Sequence, residues 1–60
     1  MRQTLGVIRF NPDLTWAYYT KDVTAELIGE MDTGEKVWQD ATGKQYLRCK
    51  INHHYYFVAI

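Results

Sequence analysis

The sequence has little of what usually holds a very small domain together. Its 60 residues include one cysteine, Cys49, so an internal disulfide is excluded. A chain of this length buries only about 60% of the surface that its unfolded form exposes. Small domains usually compensate with disulfides or a bound metal. We therefore expect a thin core that depends on large side chains.

An excess of charge of one sign is also lacking. Seven Lys and Arg residues balance seven Asp and Glu residues, and the formal net charge is zero with histidine neutral. A protein dedicated to nucleic acid needs an excess of basic residues to contact phosphates. The composition therefore disfavours that class for the chain as a whole.

Long hydrophobic runs are absent from the sequence. The longest uncharged apolar stretch, residues 55–60, is far shorter than the about 20 residues that a membrane-spanning helix needs. Arg9 and Asp13 interrupt the N-terminal region before an apolar run of signal-peptide length is reached. The single thiol suits a reducing compartment. Together these features predict a cytoplasmic protein without a membrane segment.

Reactive side chains are few and scattered. Cys49, His53 and His54 are the only soft metal ligands, and a structural zinc site needs four converging ligands. Cys49 falls on the same apolar face as Leu47 and Ile51, which predicts a buried thiol rather than a nucleophile. No glycine-rich phosphate-binding motif is present. We therefore expect no metal, no cofactor and no enzymatic activity.

Aromatic and β-branched residues are abundant, and turn residues divide them into short segments. Turn signals recur about every ten residues, a spacing typical of short antiparallel strands. The predicted strands are residues 4–10, 14–20, 25–31, 35–40, 46–51 and 55–60. Residues 22–28 contain the only plausible helical turn, with Asp22 as a candidate cap.

The clearest predicted strand is 46–51. Its alternate residues form an apolar set and a polar set, namely Leu47, Cys49 and Ile51 against Tyr46, Arg48 and Lys50. This period of two predicts that the apolar set faces the interior and the polar set faces solvent.

Residues 27–38, LIGEMDTGEKVW, place two glycines between apolar pairs. Gly29 within a strand pattern predicts a bulge or a tight bend. Residues 31–34 have the composition of a turn in which Gly34 takes a positive φ. With Gly6, these glycines are the predicted corners of a bent sheet. We interpret the stretch as a structural corner rather than as an active-site hinge.

The stretch LIGEMDTGEKVWQ resembles the middle of bacterial SH3-like (SH3b) domains, where an apolar-Ile-Gly step and a Gly-Glu-apolar step join two strands. The resemblance extends loosely over residues 5–60. It implies one domain, residues 1–60, that forms a small SH3-like barrel of about five short antiparallel strands. The chain departs from the family before Leu27, where the Asn-Val-Arg-Ser-Gly-Pro string is missing, and at residues 52–54, where no glycine precedes the closing aromatics.

Strand length and number support the same all-β fold independently of the resemblance. Five or six short strands are too few for an ordinary two-layer sandwich. They can roll into a bent barrel whose closure removes the exposed edges of the sheet.

The chain has more aromatic rings than so small a core can hold. It contains two Trp, five Tyr and two Phe residues, of which we expect about five to be inside. Exposed Tyr and Trp residues commonly anchor protein interfaces. The residues predicted to contact a protein or peptide partner are Tyr18, Tyr19, Trp38, Tyr46, Tyr55 and Tyr56. The alternative is that these rings only shield the edges of the core.

The resemblance further implies that Tyr18, Tyr19 and either Tyr55 or Tyr56 lie near one groove. The function indicated is a non-enzymatic protein- or peptide-binding module, such as an adaptor, an accessory factor or a phage-type inhibitor.

Three other functions stay open at this level. A nucleic-acid-binding barrel would use Tyr46, Arg48 and Lys50, because cations beside an aromatic ring hold single strands. A fragment that binds cell-wall peptides is what the SH3b resemblance implies. A homo-oligomer could form if the hydrophobic C-terminal strand, YYFVAI, continued a sheet into a neighbouring copy.

Overall fold

The computed structural model describes residues 1–10 and 17–60. These residues form five strands: β1 (Arg2–Phe10), β2 (Ala17–Glu30), β3 (Lys36–Asp40), β4 (Gln45–Ile51) and β5 (His54–Ala59). Within those two ranges no helix occurs. The predicted all-β fold is confirmed. The predicted turn at residues 11–13 and the start of the predicted strand 14–20 lie outside the described residues.

The strands close into a barrel in chain order, β1-β2-β3-β4-β5. Strands that follow one another in the chain pair antiparallel, and β1 pairs parallel with β5 through residues 6–8 and 56–58. The first and last strands of a five-strand meander run in the same direction, so closure requires one parallel pair. The predicted barrel is confirmed, and its pairing is antiparallel everywhere except at this junction.

β2 is a single strand of 14 residues, where the sequence suggested two strands separated by a helical turn. The helical interpretation of residues 22–28 is wrong, because pairing with β1 and then with β3 overrides a weak local signal. A shift in the β1–β2 register leaves Thr20 without an opposite residue. The Thr20 hydroxyl donates to the Val7 carbonyl at 3.0 Å. This bulge bends the strand along the barrel wall.

The stretch from residue 27 to 38 is a bulge followed by a turn, as its sequence predicts. The β2–β3 register shifts between Leu27 and Gly29. Gly34 has a φ of +92°, and its amide donates to the Met31 carbonyl at 2.9 Å. Such a turn needs a residue that accepts positive φ. Gly29 itself has open space where a Cβ would lie, so this bulge does not depend on glycine.

Among the residues that the structure describes, three aromatic side chains fill the interior of the barrel. Trp38, Tyr46 and Phe57 are fully buried, and the Phe57 ring lies 5.6 Å from Trp38 and 5.5 Å from Tyr46 between centroids. In both pairs the two ring planes are tilted, an arrangement that brings the edge of one ring toward the face of the other and is favourable for aromatic pairs. The smaller members of this core are Val7, Val23 and Ala25. Large rings thus supply the core of a chain that has no disulfide.

The two faces of β4 are reversed relative to the sequence prediction. Tyr46 lies in the core, whereas Leu47 and Cys49 are half-buried and Ile51 is exposed on the outer side. The Tyr46 ring spans the narrow interior and its hydroxyl donates to Asp40 Oδ2 at 2.9 Å. A tyrosine can occupy a core when its hydroxyl has such a partner. The prediction counted Tyr46 as polar and therefore placed its face of β4 outside.

Candidate functional site

The reversal of β4 leaves an apolar surface on the outside of the barrel. Side chains alternate between the two faces of a strand, so the neighbours of the inward core residues point outward. The register aligns them in one row: Val37 opposite Leu47, Leu47 opposite Val58, Val58 opposite Ile8, and Ile8 opposite Tyr19. The outer apolar face, as we name it, consists of Ile8, Tyr19, Val37, Leu47, Cys49, Ile51, Tyr56 and Val58.

A groove of about 310 Å³ opens at one side of the outer apolar face. Its lining residues are Ile8, Ala17, Tyr18, Tyr19, Ile51 and Tyr56. The groove therefore brings together three of the residues predicted to contact a partner, and it agrees with the expected clustering of Tyr18, Tyr19 and a late tyrosine. Tyr18 is 45% and Tyr19 57% exposed, so their rings offer contact area.

Ile8 lies at the base of this groove. It is only 5% exposed, yet it does not belong to the inner core cluster. Its side chain is therefore buried on the outer side, among the groove tyrosines. Ile8 is thus a buried apolar residue of the barrel wall that lies outside the main core cluster.

Gly6 sets the position of the Tyr19 ring. A Cβ on Gly6 would lie 2.7 Å from Tyr19 Cε2 and 3.5 Å from Tyr56 Cδ1, so both rings approach the bare backbone of β1. The Tyr19 hydroxyl donates to Asp22 Oδ1 at 2.9 Å, and this bond raises the pKa of Tyr19. Gly6 was predicted as a corner of the sheet. Its observed role is to leave room for an aromatic ring.

Two residues predicted to contact a partner lie in the core instead. The exposed fraction of both Trp38 and Tyr46 is 0%, so neither side chain is available to a partner and the prediction is corrected. Within residues 1–10 and 17–60 the largest fully buried side chains are Trp38, Tyr46 and Phe57, and these rings pack the narrow interior.

Tyr55 is exposed but lies away from the groove, in a basic cluster. The Arg48 guanidinium carbon lies 4.4 Å and the Lys50 ammonium 5.6 Å from the centroid of the Tyr55 ring. Arg48 also donates to Gln3 Oε1 at 2.9 Å. Of the predicted nucleic-acid face, Arg48 and Lys50 lie together, whereas the buried Tyr46 cannot stack on a base. Tyr55 is the ring beside these cations, which the sequence prediction missed.

A second cavity, of about 320 Å³, lies at the end of the barrel near the β3–β4 turn. Its lining residues are Val7, Arg9, Tyr18, Thr20, Lys21, Lys44, Tyr46 and Ala59. We name Arg9, Lys21 and Lys44 the basic mouth, because these three cations surround one opening. The sequence gives no sign of it, since the three residues are far apart in the chain.

Asp40 organises the β3–β4 turn at the edge of the basic mouth. Its Oδ1 accepts hydrogen bonds from the Thr42 hydroxyl at 2.7 Å, the Thr42 amide at 2.9 Å and the Lys44 amide at 3.0 Å. The hydrogen bond from the Thr42 hydroxyl leads the causes that lower the pKa of Asp40 to about 2. Burial and the bond to Asp40 raise the pKa of Tyr46 to about 12. Both groups thus keep their charge states across the neutral range.

The residues considered for metal or thiol chemistry do not assemble into a site. Cys49 is a free thiol on the outer apolar face, and burial raises its pKa, which lowers the thiolate fraction that a nucleophile needs. Asn52 and His53 form the β4–β5 turn with φ values of 50° and 70°. Within residues 1–10 and 17–60, no three potential metal ligands lie together.

β5 is paired on both edges where the barrel closes. It pairs with β4 on one side and, through residues 56–58, with β1 on the other. Extension of a sheet into a neighbouring copy through the C-terminal strand stays a prediction from the sequence, and residues 56–58 are the part of β5 whose two edges the barrel itself uses.

Comparisons with protein-family models, with curated proteins and with solved structures each found no match to this chain. None of the described segments is a helix with the length and hydropathy required to cross a bilayer.

Proposed function

We propose that this chain is a non-enzymatic protein-binding module whose partner packs on the outer apolar face. The observation that carries the proposal is the apolar row from Val37 to Tyr19, which crosses all five strands outside the core. Antiparallel sheets that cover only one core usually have a polar second face. An apolar second face is a feature of surfaces that bind another protein.

The groove supplies the anchor points of the proposed contact. Tyrosine offers a large contact area at low cost in side-chain entropy, and Tyr19 is further held by Gly6 and Asp22. Ile8 gives the groove an apolar base, which suits an apolar or aromatic side chain of the partner. The supporting backbone belongs to a closed barrel, so the surface is ordered before binding.

Site-specific photo-crosslinking tests this proposal. A benzophenone amino acid is placed at Ile51, on the rim of the groove, and in a matched protein at Thr24, which is exposed between the buried residues Val23 and Ala25. Both proteins are irradiated in lysate of the source cells. We expect a discrete heteromeric adduct from the Ile51 position and none from Thr24, with the adduct suppressed by excess unlabelled wild-type protein.

Two results would refute the proposal. Equal labelling from both positions would show that capture is non-specific. An adduct formed only with a second copy of this chain would show that the outer apolar face serves self-association.

We also propose a cytoplasmic location, supported by the single free thiol of Cys49. The relationship to SH3b domains and the associated cell-wall function remain predictions from the sequence.

A further inference from the structure

As far as the described strands go, part of β2 has a strand neighbour on one edge only. Residues 19–23 pair with β1, whereas β3 pairs with β2 from Ala25 onward. β3 ends at Asp40, opposite Ala25, where the chain turns back into β4. In the part of the chain that the structure describes, the far edge of residues 19–23 therefore has no strand beside it. Backbone groups on such an edge can pair with an added strand.

The basic mouth lies against this open edge. Thr20 and Lys21 of β2 line the cavity together with Arg9 of β1 and Lys44 of the β3–β4 turn. The salt bridges found among the described residues are Arg2–Glu26 and Lys36–Glu30, so none of the three mouth cations has a carboxylate partner there. Asp40 is the acidic residue beside Lys44 at the β3–β4 turn. Its two carboxylate oxygens already accept four hydrogen bonds.

The charges select among the possible occupants of the edge. A second copy of this chain would bring another Lys21 against the first, and like charges on adjoining strands are unfavourable. An acidic strand would instead place carboxylates against the mouth cations. The phosphates of a nucleic acid could pair with the three cations, but a nucleic acid could not form strand hydrogen bonds with the backbone of residues 19–23. A polypeptide with acidic side chains satisfies both.

We infer that the open edge of β2 binds an extended acidic peptide segment as an added strand, with alternate carboxylates directed at the basic mouth. Every second side chain of a strand points to the same face, so acidic residues at alternate positions reach Arg9, Lys21 and Lys44. Asp22 lies on the opposite side of β2 from Lys21, and it disfavours acidic residues at the intervening positions. This surface is distinct from the outer apolar face, and the inference does not require the function proposed above.

Fluorescence anisotropy with synthetic peptides tests the inference on the whole chain. The probe is a labelled peptide of about eight residues in which Glu alternates with Thr or Val. One control peptide has Gln in place of every Glu. A second control keeps every Glu but carries N-methyl groups on alternate amides, which removes the donors that strand addition needs.

We expect the Glu peptide to bind and both control peptides to bind at least about tenfold more weakly. Lys21→Gln and Lys44→Gln should each weaken binding by about fivefold to tenfold, since each removes one opposed charge. The matched control is Lys50→Gln, which makes the same charge change in the cluster around Tyr55. It should leave binding within about twofold of wild type.

Four results would overturn the inference. No binding of the Glu peptide at concentrations up to about 1 mM would refute it directly. If the Gln peptide bound as tightly as the Glu peptide, the carboxylates would not contribute to binding. If the N-methylated peptide bound as tightly, the peptide would not bind as an added strand. Tighter binding of decathymidine, with the same dependence on Lys21 and Lys44, would assign the mouth to nucleic acid. Each of these outcomes leaves the crosslinking test of the outer apolar face unaffected.

Discussion

Three neighbouring strands of the barrel carry apolar side chains on both of their faces. Their inner residues are Trp38, Tyr46 and Phe57, and their outer neighbours are Val37, Leu47 and Val58. The inner residues are fully buried by the ring of strands, whereas the outer ones are half-buried. Closure of the barrel explains why the inner residues are apolar, but it does not explain why the outer residues are apolar. The inner face therefore accounts for stability, and the outer face is the surface that we propose for binding.

The largest effect is expected inside the barrel, from Phe57→Ala. Phe57 contacts both other core rings, and its loss should cost about 3–5 kcal/mol of unfolding free energy. That is about the whole stability available to a domain of this size, so the variant should be unfolded by circular dichroism at 25 °C. The matched outer variant, Leu47→Ala, should remain folded. A folded Phe57→Ala protein would mean that the inner rings are not the main source of stability.

The same substitution made on both faces gives a sharper comparison. Val7→Thr puts a hydroxyl into the core and should cost about 1–3 kcal/mol, because burial leaves the hydroxyl unsatisfied. Val58→Thr puts the same group on the outer face, where water can reach it, and should cost at most about 0.5 kcal/mol. Urea unfolding measures both. If the two variants lost the same unfolding free energy, the inner and outer faces would not differ in their contribution to stability.

The hydrogen bond from Tyr46 to Asp40 on the inner face should make the free energy of unfolding depend on pH in the alkaline range. The pKa of Tyr46 is about 12 when folded against an ordinary value of 10.0. The folded state therefore holds this proton more tightly, and its contribution to stability is complete below pH 10 and is lost as pH rises toward 12. Tyr46→Phe should lack this component and cost about 1 kcal/mol at neutral pH.

Urea unfolding of both proteins between pH 7 and about 11 measures the difference, which should narrow as pH rises. Contributions that the two proteins share cancel in this comparison. A difference that stays constant with pH would show that burial and the bond to Asp40 do not raise the pKa of Tyr46.

The smallest effect is expected from glycines on the outer side of the wall. Gly6→Ala should displace the Tyr19 ring, because the new Cβ would lie 2.7 Å from its edge. Since Tyr19 is exposed and can move, the cost should stay below about 1 kcal/mol, while crosslinking from Ile51 falls. Gly29→Ala meets no neighbour and should leave both properties unchanged. Identical behaviour of the two variants would show that the ring is not held by Gly6.

The all-β fold and the turn at Gly34 could be predicted from the sequence, because both follow from short-range patterns. The barrel could be predicted from the number and length of the strands. The excess of aromatic rings over core volume was also predictable, and Tyr18, Tyr19 and Tyr55 are indeed exposed.

The face of β4 could not be predicted, since alternation separates two sets of residues without stating which set is inside. That choice depends on Asp40, which supplies an acceptor to Tyr46 from the preceding strand. The basic mouth was hidden for a similar reason. Arg9, Lys21 and Lys44 belong to three separate segments of the chain and meet at one opening of the folded barrel.

The most direct test of the assignment combines stability and capture in one protein, Tyr19→Thr/Val58→Thr, with the photo-crosslinker at Ile51. If the outer apolar face is a binding surface on a barrel that closes without it, the free energy of unfolding should stay within about 1 kcal/mol of wild type. The heteromeric adduct should fall by at least about tenfold. Unchanged capture by the double variant, or unfolding as severe as that of Phe57→Ala, would contradict this account.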